Sequence, residues 1–175
     1  RTPWARRMRL LRTGPLTRCS VDERARDFRR VPGGLLVQDR DLLGFLPAAL
    51  EVVTKAAPDP GKTDDLKVAW LSCKHTRSNA IVLARREAVV GVGAGQMNRL
   101  DAARLALRKA GDRARGAVMA SDGFIHLAEC VEEAAQAGVT TIIQPGGAQN
   151  DADIIAAADR LGLAMVFTGT RHFRH

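Results

Sequence analysis

From Thr63 to Phe167 the chain alternates short runs of small or β-branched apolar residues with segments of about ten residues in helical period, and Gly or Pro stands at most joints. A period of two and a period of 3.6 taking turns admits few folds. It predicts a layered α/β/α sheet in which helices cover the strands. Thr63 is expected to cap a helix over 64–74, whose apolar positions include Leu66, Ala69, Trp70 and Cys73. Strands are expected over 80–84 and 88–92, parted by the charged turn Arg85-Arg86-Glu87. Asn98 should cap a helix running to Ala110, with Asp101 completing a capping box and Gly111 closing it. Further strands are expected over 116–120, 139–143 and 163–167, with helices over 129–137 and 151–161.

Ahead of Thr63 the pattern is irregular. Residues 1–30 show no sustained period beyond the apolar step Met8, Leu10 and Leu11, and form a basic N-terminal segment ahead of the α/β part, 31–175. Pro32-Gly33-Gly34 breaks the chain, Leu35 to Val37 reads as a short buried strand, and Asp39-Arg40-Asp41 reads as a turn.

The net charge of +8 invites a nucleic-acid reading, but its location argues otherwise. Residues 1–30 carry ten Arg against three acids, while the other 145 residues hold 17 basic and 16 acidic side chains. A nucleic-acid fold carries its basic stripe on structured elements with aromatics, and here Tyr is absent and aromatics are 4%. No nucleic-acid partner is expected. No run of about 18 apolar residues occurs, so no membrane span is expected. Cys19, Cys73 and Cys130 are far apart and form no CxxC pair, so they read as inert thiols in a reducing, cytoplasmic setting. The chain opens on Arg1 without an apolar leader, which reads as a cut terminus.

Polar groups gather at the expected strand ends. Gly91 to Arg99 (GVGAGQMNR) lies between a strand and a helix, where glycines let a backbone approach a ligand and free amides attract an anion. A dinucleotide fold wants a third glycine where Gln96 stands, so a tight turn is the plainer reading and a nicotinamide enzyme a distant one. Arg99 on the first turn offers a fixed cation to an anionic ligand. Lys74 to Asn79 joins a helix end to a strand and sets the Asn79 amide at a sheet end. Ser121-Asp122-Gly123-Phe124 follows another strand. Thr168 to His175 is either a loose basic tail or, with Phe173 at its centre, a docked one.

Those segments, in the order GGLLVQDRD, VVTKAAP, KHTRSNAIV, VGVGAGQMNRLDAARLA, GAVMASDGF, AGVTTIIQPGG and MVFTGTRHFRH, resemble the AICAR transformylase domain of the bifunctional purine-biosynthesis PurH family. MRLLRTGPL and FRRVPGGLL extend the resemblance toward the start. The resemblance implies a partial domain of cytidine-deaminase-like α/β/α units, working as a homodimer. It implies transfer of a formyl group from 10-formyltetrahydrofolate to the 5-amino group of AICAR (aminoimidazole carboxamide ribonucleotide) on the way to IMP. The IMP cyclohydrolase domain of the family is not matched and is expected to be absent.

By the same resemblance, Asn79 contacts the substrate at the reacting amine and carboxamide and is the expected catalytic residue of this chain, and Arg99, Phe124 and Arg171 also touch AICAR. Leu100, Glu129, Ala148 and Gln149 fall on the folate side. Thr76, Ser78 and Asp122 fall where some members hold potassium. The family's catalytic Lys-His pair lies upstream, so Lys74 and His75 are not expected to be catalytic, and the chain alone is expected to be inactive. The chain departs from the family at Gly123 (commonly Ala), at Phe124 to Leu127 (commonly FFPF), at Glu129 (commonly Asp) and at Ala148 (commonly Ser). The alternative is a nucleotide-binding remnant or partner subunit without catalysis.

Overall fold

The computed structural model describes Arg12 and residues 26–174. Met8, Leu10, Leu11, Cys19 and most of the basic lead lie outside the described residues. The chain parts into two compact units, 1–42 and 43–175.

In the first unit, β1 (Arg26–Val31) and β2 (Gly34–Asp39) form an antiparallel hairpin in which Phe28 faces Val37 and Arg30 faces Leu35. Gly33, at φ +82°, takes the left-handed turn conformation that a glycine adopts without strain. The strand expected at Leu35 to Val37 exists, but it is not buried: Leu35 and Leu36 are each 60% exposed. An apolar run bounded by turn signals fixes a strand, not what covers it. The partner strand β1 begins inside the Arg-rich segment, where cross-strand pairing outweighed the lack of apolar alternation.

The second unit is the layered sheet the alternation predicts. Its elements are β3 (Glu51–Val52), α1 (Thr63–Lys74), β4 (Ile81–Arg85), β5 (Ala88–Gly93), α2 (Arg99–Ala110), β6 (Val118–Ser121), α3 (Ala128–Gln136), β7 (Thr141–Gln144), α4 (Asp151–Arg160) and β8 (Ala164–Phe167). The sheet order is β3-β8-β7-β6-β4-β5. β6, β7 and β8 run parallel, and β4 runs against both β5 and β6. The two-residue β3, too short to announce itself in sequence, pairs antiparallel with β8.

Side chains alternate across the sheet as strand geometry requires. Val82, Ala84, Val118, Ala120 and Ile143 meet Leu66, Ala69, Trp70 and Cys73 of α1 on one face. Ile81, Leu83, Met119, Ile142 and Met165 meet α2, α3 and α4 on the other. The central strands are buried on both faces, which is why they read as continuous apolar runs.

Helix starts follow local chemistry. Asn98 accepts the Asp101 N–H at 2.8 Å and its own amide reaches the Asp101 carboxylate at 2.7 Å, so the capping expectation holds. Thr63 does not cap α1: it is the first helical residue, and its hydroxyl donates back to the Pro60 carbonyl at 2.9 Å. The 3-10 turn Pro60–Lys62, itself capped by Asp59, feeds straight into the helix and leaves no cap position for a side chain.

Candidate functional site

One end of the sheet collects the loops. Ile81, the first residue of β4, lies opposite both Gly93 and Ser121, so the entry to β4 and the exits of β5 and β6 coincide there. The exits of β7 and β8 join them, since Thr168 N–H donates to the Gln144 carbonyl at 2.9 Å.

Asp122 ties these loops together. Its carboxylate, with no exposed surface, takes the Ser78 hydroxyl on one oxygen at 2.5 Å and Arg99 Nη2 on the other at 2.6 Å. Its backbone N–H donates to Ala80, and its carbonyl accepts the His172 N–H at 3.0 Å. Asn79 extends the β4–β5 ladder by exchanging backbone hydrogen bonds with Gln96, and its side-chain amide also donates to the Gln96 carbonyl at 3.0 Å. The Ser78–Asn79 peptide is cis. The tail closes over this knot: Ser78 N–H donates to the Arg174 carbonyl at 2.9 Å, and Arg174 N–H donates to the Ser78 hydroxyl at 3.0 Å.

Two expectations change here. Gly91 and Gly93 do not cradle a ligand. A Cβ at either would run into helix α2, against the Ala106 and Ala102 carbonyls respectively, so these glycines let α2 lie close on β5. Only Gly95, at φ +64°, serves a turn. Arg99 is not an open cation either. It is 7% exposed and its charge is met by Asp122. Its Nε remains buried without a hydrogen-bond partner among the described residues, so one guanidinium N–H is still to be satisfied.

The other residues singled out in the sequence sort into two groups. Phe124, half-buried, follows Gly123 out of the knot and sets its ring edge-on to His126 at 6.0 Å between centroids. Arg171 is exposed, with its guanidinium 5.8 Å from the centre of the Phe173 ring. Asn79, Phe124 and Arg171 thus lie on loops, and Arg99 on the first turn of α2, that adjoin one another around Asp122. The residues expected on a folate side lie at helix starts: Leu100 on α2, Glu129 on α3, and Ala148 and Gln149 just before α4. Asp151 secures the last of these by accepting the Gly147 and Ala148 N–H groups. Asn150 donates to the His126 carbonyl at 2.7 Å, which links the start of α4 to the Asp122 loop.

Thr76, Ser78 and Asp122 do not fit a potassium cage as they stand. Thr76 donates to the Ser72 carbonyl at 2.7 Å, and both Asp122 oxygens are taken, one of them by a guanidinium. A second cation beside that guanidinium would meet repulsion rather than a free carboxylate. Lys74 ends α1 with its ammonium on the Leu43 carbonyl at 2.5 Å, and His75 is exposed at the helix end.

Sequence reasoning missed His172. The tail docks, as one reading allowed, but through His172, 1% exposed, while Phe173 stays 47% exposed. The His172 ring lies on Trp70, 4.8 Å between centroids. Nothing in the local sequence marks it, because its neighbours are residues of α1 and β6. Beneath the knot sits Cys73, whose thiol reaches the Ala80 and Ala120 carbonyls at 3.5 and 3.6 Å. Burial first, and the Asp122 charge second, push that thiol well above its ordinary range, so it stays protonated and unreactive.

With this geometry in hand, residues 5–109 match the family described as AICARFT/IMPCHase bienzyme. The chain belongs to the AICARFT/IMPCHase family. It is 50% identical over 153 residues to the bifunctional purine biosynthesis protein PurH of Bacillus subtilis (strain 168), covering 87% of this chain and 30% of that protein. It is 56% identical over 145 residues to the protein of the same name from Anoxybacillus flavithermus (strain DSM 21510 / WK1), covering 83% and 28%. The chain thus spans less than a third of the length of these AICARFT/IMPCHase relatives. A looser likeness, to Acinetobacter baumannii RibD (form 1), covers 61% of this chain and 35% of that one at 19% identity and a TM-score of 0.43, and adds nothing to the family assignment. Among the described residues no helix is long and apolar enough to cross a membrane.

Proposed function

We propose that this chain carries the nucleotide-binding side of phosphoribosylaminoimidazolecarboxamide formyltransferase, which moves a formyl group from 10-formyltetrahydrofolate to AICAR in IMP biosynthesis. The observation that carries the reading is the convergence of Ser78-Asn79, Arg99, Asp122 and the tail at one sheet end, in a chain of the AICARFT/IMPCHase family.

In this reading Arg171, exposed and not neutralised by a buried acid, takes the phosphate of AICAR. Arg99, its charge met by Asp122, borders the nucleotide as a neutralised donor. Asn79 meets the reacting amine and carboxamide, and Phe124 borders the base. The amine is a poor nucleophile, because its lone pair is drawn into the imidazole carboxamide. Its attack needs a base and a donor for the developing oxyanion. Lys74 is turned to the Leu43 backbone and does not supply them. The folate lies along the helix starts of α2, α3 and α4 and supplies the formyl carbon, with the exposed Glu129 carboxylate suited to accept from pterin N–H groups. Two copies pair as a homodimer in the working enzyme.

Titrating AICAR into the 175-residue chain by calorimetry tests the reading. Saturable binding is expected, weakened about tenfold or more in Arg171→Ala, as loss of one charge-assisted contact of about 1.5–3 kcal/mol dictates. Arg171 is the cleaner probe, since Arg99→Ala would also strand the buried Asp122 charge. No binding, or binding indifferent to Arg171→Ala, overturns the assignment.

A second reading, favoured by the Lys74 ammonium lying on the Leu43 carbonyl rather than at the Asp122 knot, is a module that binds nucleotide without turning it over. Preceded by the transformylase sequence of a relative, the chain should form product. A joined chain that binds AICAR and never formylates it supports the second reading instead.

A further inference from the structure

The tail raises a question that the substrate contacts do not answer. Arg171 lies on a segment without helix or strand, yet that segment is hydrogen-bonded across the sheet end at Gly169, His172 and Arg174. A side chain with a charge to place gains little from a backbone free to wander, because ordering that backbone costs about 1–2 kcal/mol per residue. Something must hold the segment beforehand.

The hold is visible one residue on. Among the described tail residues His172 is the buried side chain, flanked by exposed Arg171, Phe173 and Arg174. Its ring rests on Trp70, itself 2% exposed and set in the core beneath α1. The His172 backbone N–H is fixed to the Asp122 carbonyl, and two residues further Arg174 pairs with Ser78 through its carbonyl and its N–H. One inserted ring therefore registers the tail against the two loops that carry Asn79 and the Arg99–Asp122 pair. Phe173 completes the fit: a Cβ added at Gly123 would stand 2.9 Å from its ring and 2.5 Å from Arg99 Nη2.

We propose that His172 is a positioning residue: its ring, seated on Trp70, anchors the tail across Asp122 and Ser78 and so presents Arg171 to the nucleotide. The presentation half rests on the function proposed above, whereas the anchoring half stands on geometry alone.

The test uses the full chain with His172→Ala and His172→Phe, reading tryptic cleavage after Arg171 by mass spectrometry and AICAR affinity by calorimetry. In His172→Ala, cleavage after Arg171 should quicken at least tenfold, and AICAR affinity should fall to the level of Arg171→Ala. His172→Phe keeps a flat ring against Trp70 and should stay within about threefold of the parent on both readouts. A merely structural role would weaken both variants without matching Arg171→Ala. If cleavage in His172→Ala is unchanged, or if His172→Phe frees the tail as fully as Ala does, the anchor is refuted. If the tail is freed while AICAR affinity holds, the presentation of Arg171 is refuted. Failure of the parent chain to bind AICAR removes the proposed function and the presentation with it, while cleavage still decides the anchor.

Discussion

At the scale of single residues, Asp122 carries the most. A carboxylate without solvent must have its oxygens met, and here Ser78 and Arg99 meet them. Taking one partner away leaves the other charge buried and uncompensated. Asp122→Ala should therefore destabilise the chain by about 3–5 kcal/mol, read as a lowered urea midpoint. A loss under about 1 kcal/mol would mean that Arg99 finds water and that the knot is looser than its distances indicate. The sequence marked both partners as polar groups at strand ends, but not that they would meet. Their meeting depends on β4 standing between β5 and β6, and strand order is not written in any local period. Gly123 shows the same limit. Its lack of a Cβ leaves room for the Arg99 guanidinium against the backbone, a closeness that arises on folding and not from the local pattern.

At the scale of elements, alternation of period was a sound guide, because each element of the second unit past Thr63 buries a face that its own sequence declares. The helix Arg99–Ala110, with its Asn98 cap and Gly111 stop, was legible almost to the residue. The purpose of the glycines before it was not. Gly91 and Gly93 look like a ligand loop in sequence and are a packing surface in space, since Ala102 and Ala106 of α2 approach them with backbone carbonyls. A side-chain obstacle can turn aside; a helix backbone cannot do so without moving the helix. Gly93→Ala should cost about 1–3 kcal/mol through overpacking, seen as a lowered thermal midpoint. An unchanged midpoint would show that α2 slides on β5 freely. The hairpin β1–β2 escaped the reading in the opposite way. Its strand Gly34–Asp39 was visible, but exposure of Leu35 and Leu36 is a property of what lies around them.

At the scale of the whole molecule, two thiols set an upper limit on pH. Cys130, buried on α3, is pushed up to about 12, by burial first, from an ordinary value of 9.0. Cys73 is raised in the same direction by burial. In the unfolded chain these thiols ionise near their ordinary value while the folded chain keeps them protonated. The stabilisation is thus present below pH 9 and is lost as pH rises from about 9 toward 12. Stability measured by urea unfolding should fall across that window, and Cys130→Ala should flatten the fall. Iodoacetamide at pH 8 should leave Cys73 and Cys130 untouched until the chain unfolds. A flat profile, or prompt alkylation of the native chain, would contradict the burial described for both.

The pairing of Ser78 with Arg174 spans 96 positions, and this bears on when the site comes into being. During synthesis the strand that begins at Ile81 is already made while its neighbour β6, and β7 and β8 beyond it, are still to come. Ser78 waits past all three of them for Arg174. A ribosome paused just past Phe167 would hold every strand of the second unit while the segment that grips Ser78 is still unmade.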